Sequence, residues 1–148
     1  MMVQNVQANG QPREVSTVPN VGLTKCRMLL GLIAGRFPWP PIMRALDYSL
    51  DRVEHGVAVF SGVGKFEHYN PIGSVHGGWV ATLLDSCMGC AVHTTLKPGQ
   101  GYTSLEIKVN FVRAVLDTSG RLTAEGRVIY AGRTTATAEG KLIDANGK

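Results

Sequence analysis

The stretch "NPIGSVHGGWVATLLDSCMGC", from Asn70 to Cys90, decides the fold because it contains the longest helical segment of the chain. From Gly77 to about Thr95, apolar residues cover most of the circumference of a helix, which is typical of a buried helix. The segment nevertheless carries one carboxylate, Asp85. An unpaired buried carboxylate is costly, so we expect Asp85 to have partners or to perform a function.

At helical spacing, Asp85 belongs to a narrow stripe of small and polar residues, and everything around the stripe is apolar. The stripe comprises Gly78, Thr82, Asp85, Ser86, Gly89 and His93. It can face solvent, as on an ordinary amphipathic helix, or it can face a cleft or a subunit interface. The apolar surroundings argue against the first alternative.

Two glycines stand at the start of this helix, Gly77 and Gly78. They leave backbone N–H groups uncovered and let a ligand approach closely. Those groups and the helix dipole favour negative charge, so the place can stabilise an oxyanion that develops on a thioester or ester carbonyl. Asp85 lies about two turns further along, where it can serve as nucleophile or general base towards a substrate in a neighbouring groove.

The remaining pattern predicts one α+β domain, with an antiparallel sheet wrapped around one long helix. Residues 1–20 are polar without a clear period and are expected to form a flexible N-terminal tail, which leaves 21–148 as the domain. The predicted elements are a short helix from Leu23 to about Phe37, a hairpin around Glu54–Gly56, the long helix, and strands over 103–112, 121–132 and 133–144. The pair Asn146-Gly147 predicts a further hairpin turn, so a last strand is expected to be missing after 148.

Composition narrows the possible functions. The 148 residues carry a net charge of +4, which suits an anionic small ligand, but their Lys and Arg are scattered singly, which argues against nucleic acid. Three cysteines, an odd and low number, argue against a disulfide framework and favour the reducing cytoplasm. We expect no secretory signal, because residues 1–15 contain no apolar run of the kind such a signal needs, and the apolar run from Met28 to Gly35 is too short to span a membrane.

The stretch from Asn70 to Asp85 resembles the signature of hotdog-fold thioesterases of the phenylacetate-pathway (PaaI-like) type. That signature has Asn, Gly, His-Gly-Gly and then Asp nine residues after the His, and it matches here at Asn70, Gly73, His76, Gly77, Gly78 and Asp85. The resemblance covers roughly residues 23–148. One departure is Ala114, which stands where the family usually has Pro.

The resemblance implies roles for individual residues. Asp85 would act on an acyl-CoA thioester, directly or through water, and the N–H of Gly77, with that of Gly78, would bind the carbonyl oxygen. Asn70 would hold substrate or water and would come from the partner subunit. Ser104 would position the water, with Thr103 as the alternative if the alignment slips by one. His76 would orient the loop rather than transfer protons.

The resemblance also implies a homodimer or homotetramer with sites at the subunit interface, and neither metal nor cofactor. Arg113 and Arg133 are candidates for the phosphates of coenzyme A, because guanidinium binds phosphate bidentately; ordinary solvated strand ends are the alternative. Trp39, Pro40 and Ile42 could line the acyl pocket or belong to the core.

Two other functions and one other motif are alternatives to the interpretation as a thioesterase. A non-catalytic acyl-CoA-binding hotdog protein would be favoured by a lost carboxylate, and a hotdog dehydratase would need a different His/Asp motif. Cys87-Met-Gly-Cys90 is a C-x-x-C, but it lies some ten residues inside the helix and not at its start, where a redox thiolate is favoured. We interpret both cysteines as packing residues.

Overall fold

The computed structural model describes residues 1–7 and 25–148. Its elements in chain order are β1 (Met2–Gln7), α1 (Lys25–Ile33), α2 (Pro41–Ala45), β2 (Tyr48–Glu54), β3 (Val57–Val63), α3 (Gly77–His93), β4 (Gln100–Glu106), β5 (Arg121–Ala131) and β6 (Thr135–Ile143). Single 3-10 turns lie at Phe66–His68 and Asp117–Ser119.

The described strands form one antiparallel sheet in the order β2-β3-β5-β6-β1-β4, and α3 packs across its concave centre. This helix buries most of its circumference, as its apolar pattern predicts. The buried residues are Trp79, Val80, Leu83, Leu84, Cys87, Met88, Gly89, Ala91 and Val92. The predicted α+β architecture, a sheet wrapped around one long helix, is confirmed.

Two paired glycines let the helix approach the sheet closely. Gly126 of β5 and Gly140 of β6 are cross-strand partners beneath α3. A β-carbon on Gly126 would overlap the backbone of Cys87, whereas one on Gly140 would meet the side chains of Met88 and Cys87. The sheet can therefore curl around the helix at this point, because no side chain separates the two backbones.

The predicted hairpins are confirmed. β2 and β3 join through a turn in which Gly56 has φ +75°, a conformation that glycine adopts without cost. β5 and β6 pair along most of their length. Helix α1 lies within the predicted span, whose first residues fall outside the described part of the chain. The proline-rich stretch that follows contains a short helix that the sequence did not predict, with Pro41 in its first turn, where proline is tolerated.

The N-terminal tail is a correction. Residues 1–20 were expected to be flexible, but Met2–Gln7 forms β1, a strand that lies between β6 and β4. The Val3 side chain is fully buried, and the terminal amine donates a hydrogen bond to Ala138 O at 2.8 Å. Backbone pairing on both sides can hold a short segment whose apolar residues show no clear period. Residues 8–20 lie outside the described residues.

The prediction of a strand over 103–112 is wrong for the second half of that range. β4 ends at Glu106, and residues 107–112 belong to no strand. The intervening β1 begins at Met2, opposite Glu106, so β4 has no neighbour to pair with beyond that point. The side chains of Ile107, Phe111 and Val112 are consequently exposed, the last by 94%.

The turn at Asn146-Gly147 is confirmed. Gly147 has φ +74° and donates to Asp144 O at 3.0 Å, while Asp144 N donates to Lys148 O at 2.9 Å. The strand expected after this turn lies beyond residue 148 and stays a prediction. Within the described residues, no helix has both the length and the apolar content needed to cross a bilayer.

Candidate active site

His76 caps the start of α3. Its Nδ1 accepts a hydrogen bond from Gly78 N at 2.8 Å, and its carbonyl oxygen accepts one from Trp79 N at 2.9 Å. The side chain thus satisfies one of the N–H groups that every helix start leaves open. Among the described residues, none accepts a hydrogen bond from the N–H of Gly77. Of the two glycine N–H groups predicted to bind an oxyanion, Gly77 is available and Gly78 is occupied by His76.

Asn70 closes the loop that leads into the helix. Its Oδ1 accepts hydrogen bonds from Ile72 N at 3.1 Å and Ser74 N at 3.3 Å, and its Nδ2 donates to Ser74 Oγ at 3.0 Å. Both polar ends of the side chain therefore shape the loop, which is the local turn that Asn favours. The second N–H of Nδ2 is the group through which Asn70 could still contact a ligand, because the two hydrogen bonds to Oδ1 use both of its lone pairs.

Asp85 meets its predicted neighbour Ser104. The Ser104 hydroxyl donates to Asp85 Oδ1 at 2.9 Å, from β4 across to α3. The carboxylate is half-buried, so it has both a fixed partner and access to the outside. Side chains of a strand alternate between its faces, so Thr103 points away from the helix while Tyr102 and Ser104 point towards it. Of the two residues considered for this position, Ser104 is therefore the one that contacts the carboxylate.

The neighbouring helix residue binds the opposite edge of the sheet. Ser86 Oγ and Tyr48 Oη lie 3.0 Å apart in a hydrogen bond, and Tyr48 comes from β2. β2 and β4 are the two edges of the sheet, so consecutive residues of α3 are tied to opposite edges. Asp85 and Ser86 of the polar stripe therefore lie between the two edges of the sheet.

Two tyrosines that sequence reasoning missed stand beside the carboxylate. Burial raises the pKa of the Tyr102 phenol well above its usual value, and the nearby Cys90 thiol and Asp85 carboxylate raise this pKa further. Burial likewise raises the pKa of Tyr48. Tyr102 could have been found from its position two residues before Ser104 on an alternating strand, whereas the sequence held no comparable signal for Tyr48.

The C-x-x-C has the chemistry of buried packing residues. Burial raises the pKa of both the Cys87 and the Cys90 thiol to about 12, so neither is poised as a thiolate. Cys87 is fully buried, and its Sγ lies 3.2 Å from Leu84 O. Among the described residues, no group of three or more His, Cys, Asp or Glu side chains is placed to hold a metal ion.

An open groove of about 1050 Å³ lies between α3, the segment 107–115 and the end of β6. Asn70, Gly77 and Arg113 line it, and its floor includes apolar residues of α3 such as Val80 and Leu84. Asp85 and Ser104 are not among the residues that line this groove. The predicted site residues thus separate into two groups, a groove group around Gly77 and a carboxylate group around Asp85.

The two predicted phosphate-binding arginines fall in different places. Arg113 lines the groove, is about 60% exposed, and has its Nη1 3.8 Å from Asp144 Oδ2. Arg133 is exposed in the turn between β5 and β6 and does not line the groove. Only Arg113 is therefore brought together with Asn70 and Gly77.

Comparison with known proteins identifies the family. A profile described as "Thioesterase superfamily" matches residues 72–148. A Saccharolobus solfataricus protein named "Putative esterase" is 31% identical over 107 residues, which cover 72% of this chain and 74% of that protein.

Solved structures agree in fold. A "putative thioesterase, phenylacetic acid degradation-related protein" from Ralstonia eutropha JMP134 has a TM-score of 0.72 and 25% identity, covering 81% of this chain and 90% of its own. The PaaI protein from the phenylacetic acid degradation operon of Escherichia coli has a TM-score of 0.72 and 18% identity, covering 84% and 85%, and shows the fold alone. With the signature from Asn70 to Asp85 and the curled sheet around α3, these matches establish that the chain belongs to the thioesterase superfamily, as a hotdog-fold hydrolase of the PaaI-like type.

Proposed function

We propose that the protein hydrolyses acyl-CoA thioesters to a free acid and coenzyme A, using its own side chains and no metal or cofactor. The observation that carries the proposal is the hydrogen bond from Ser104 to Asp85, because it holds a half-buried carboxylate at the open edge of the fold. The second oxygen of that carboxylate remains for chemistry. The low cysteine content supports action in the cytoplasm.

Two routes use the same residues. As a general base, Asp85 takes a proton from water held by Ser104, and the resulting hydroxide attacks the thioester carbonyl. As a nucleophile, Asp85 attacks the carbonyl itself and forms an anhydride that water then opens. In both routes the carbonyl oxygen becomes an oxyanion beside the Gly77 N–H, and the C–S bond breaks to release the thiolate of coenzyme A, which is then protonated.

One chain cannot supply both groups to one carbonyl. Gly77 and Asp85 are eight residues apart on the same helix, so their backbones are separated by ~12 Å at 1.5 Å per residue. Reacting groups must lie within about 3–3.5 Å of the carbonyl. We therefore infer a homodimer, alone or paired into a homotetramer, in which Asn70 and Gly77 of one chain meet Asp85 of the partner subunit.

Surface composition supports such an assembly. Side chains near the groove that would ordinarily be buried are exposed, among them Phe111 at 60% and Val112 at 94%. Phe111 also rests against Gly77, where a β-carbon would lie 3.1 Å from its ring. A partner that covers this surface would stand over the Gly77 N–H, which is where the carboxylate of the second chain is needed.

The groove is suited to the coenzyme A end of the substrate. Arg113 supplies a guanidinium at its rim, Lys108 adds an ammonium, and the apolar floor can take the chain that links nucleotide and thioester. The net charge of +4 favours an anionic ligand of this kind. Arg133 is retained as a second phosphate contact only if the partner subunit brings it near the groove.

The test is thiol release from a panel of aromatic, short-chain and medium-chain acyl-CoAs, with wild type, Asp85→Asn and a matched control. Asp47→Asn serves as the control because Asp47 is exposed and pairs with Lys65, which is not one of the proposed site residues. We expect Asp85→Asn to lose most activity and Asp47→Asn to keep it. Equal thiol release by wild type and Asp85→Asn would remove Asp85 from the reaction, and binding without hydrolysis would favour the non-catalytic acyl-CoA-binding alternative.

A further inference from the structure

The phenol of Tyr102 occupies the space above Gly89. A β-carbon on Gly89 would lie 2.8 Å from the Tyr102 hydroxyl oxygen and 2.9 Å from a ring carbon, so the ring rests directly on the helix backbone. The ring also meets His93, one helical turn beyond Gly89, edge-on with centroids 5.5 Å apart. Tyr102 is thus packed against two residues of α3 and closes the gap between that helix and β4.

Gly89 and Tyr102 face each other across α3 and β4, one helical turn beyond the pair formed by Asp85 and Ser104. Gly89 follows Asp85 by four residues, which is one turn on the same face of the helix, and Tyr102 precedes Ser104 by two residues on the same face of the strand. The rise over four helical residues is ~6 Å and that over two strand residues is ~6.7 Å, so the spacing between the two pairs is nearly the same along the helix and along the strand. The side chain adjoining Asp85 towards the helix C-terminus is therefore the Tyr102 phenol.

The two directions along the helix face differ in what they offer an acyl group. Towards the helix start, the stripe is formed by Thr82 and the exposed Gly78, which leave it open and polar. Towards the helix end, Gly89 is buried and an aromatic ring covers it. An apolar acyl group gains more from the second direction, because apolar surface removed from water is stabilising.

We propose that Tyr102 is a specificity-determining residue, whose phenol forms the end of the acyl site one helical turn beyond Asp85 and limits the length of the acyl group. This inference rests on the proposed hydrolysis of acyl-CoA at Asp85. The absence of a side chain at Gly89 is what lets the ring reach this position, so residue 89 sets how far the ring reaches over the helix.

The test compares kcat/KM for straight-chain acyl-CoAs from two to eight carbons in wild type, Tyr102→Ala and Gly89→Ala. Wild type is expected to prefer the short members of the series. Tyr102→Ala removes the end of the site and is expected to raise the ratio of octanoyl-CoA to butanoyl-CoA by at least about 10-fold, the scale of a few methylenes in an apolar pocket. Gly89→Ala pushes the ring towards the substrate and is expected to lower the same ratio.

Tyr130→Ala is the matched control, because Tyr130 is 63% exposed near the end of β5. Should Tyr102→Ala fail to fold, the lowered ratio in Gly89→Ala carries the test. An unchanged ratio in an active Tyr102→Ala protein would overturn the role of Tyr102 and leave the proposed function standing. A wild-type protein that hydrolyses no member of the series would overturn both.

Discussion

The Ser104 hydroxyl donates a 2.9 Å hydrogen bond to the Asp85 carboxylate and so joins an edge strand to the central helix. The bond fixes one oxygen of the carboxylate and leaves the other for substrate or water. Ser104 itself is exposed, so the same hydroxyl lies where a water molecule could reach it. The pair is the part of the proposed active site that a single chain completes.

Ser104→Ala is expected to reduce kcat/KM for acyl-CoA by about 10- to 100-fold, because hydrogen bonds to charged groups are worth ~1.5–3 kcal/mol. The fold should persist, since Ser104 is exposed. Thr103→Ala is the matched control, one residue away on the opposite face of β4. Steady-state kinetics and a thermal melt measure both, and equal losses in the two variants would refute a specific role for Ser104.

Substitutions of His76 distinguish a role in capping α3 from a role in proton transfer. Because Nδ1 accepts the Gly78 N–H, His76→Ala should cost ~1 kcal/mol of unfolding free energy, whereas His76→Asn should restore most of it, since Asn is a favoured cap. His76→Asn is expected to retain most of the thioesterase activity. An asparagine variant that melts like wild type yet is inactive would show that the imidazole transfers a proton.

The paired glycines under α3 should differ in their response to alanine. Gly126→Ala places a β-carbon 2.6 Å from Met88 N and against the Cys87 backbone, so it should cost about 3 kcal/mol or more. Gly140→Ala meets the Met88 Cγ at 3.0 Å, and a methionine side chain can move, so it should cost about 1 kcal/mol. Urea unfolding of both variants measures the difference, and equal costs would contradict the proposed closeness of helix and sheet.

The buried thiols make stability sensitive to alkali. The pKa of Cys87 is about 12 in the folded protein and about 9 when unfolded, so the folded state holds this proton more tightly. The resulting contribution of Cys87 to the free energy of unfolding is complete below pH 9 and is lost as the pH rises towards 12. Unfolding free energy should therefore fall with pH across that window, and Cys87→Ala should reduce the slope. If Cys87→Ala left this slope unchanged, the pH dependence of the unfolding free energy would come from other groups.

The same shift predicts slow alkylation. At pH 8, a three-unit rise in pKa lowers the thiolate fraction roughly 1000-fold, before burial adds its own barrier. Iodoacetamide should leave Cys87 unmodified in the folded protein and modify it in urea, as peptide mass spectrometry would show. Rapid modification of the folded protein would revive the redox interpretation of the C-x-x-C.

Local sequence patterns predicted what depends on local chemistry. The apolar circumference of α3 predicted its burial, and the stripe through Asp85 marked the face on which Thr82, Asp85 and Ser86 are only half-buried. These two features need no knowledge of distant parts of the chain. The position of Ser104 was expected from the family resemblance and not from the period-two alternation, whose apolar member Leu105 lies on the opposite face of β4 and is 50% exposed.

What could not be predicted depends on pairing between distant segments. Met2–Gln7 enters the sheet through backbone hydrogen bonds, which leave almost no mark on residue type. Its insertion also ends β4 at Glu106, although the alternation of apolar and polar side chains continues to Phe111. Tyr48 reaches Ser86 only because the sheet curls, and curvature is a property of the whole sheet rather than of any stretch of sequence.

Asp85 and Ser86 project from α3 about 100° apart, and each is held by a different edge of the sheet. Rotating the helix about its axis in either sense would lengthen one of the two hydrogen bonds, so the edges act together as a stop against rotation. The direction in which the Asp85 carboxylate points therefore depends on how tightly the sheet curls. A substitution near Gly126 or Gly140 that flattens the sheet would therefore change the direction of Asp85 from a distance and lower turnover, although no residue that contacts the carboxylate has been substituted.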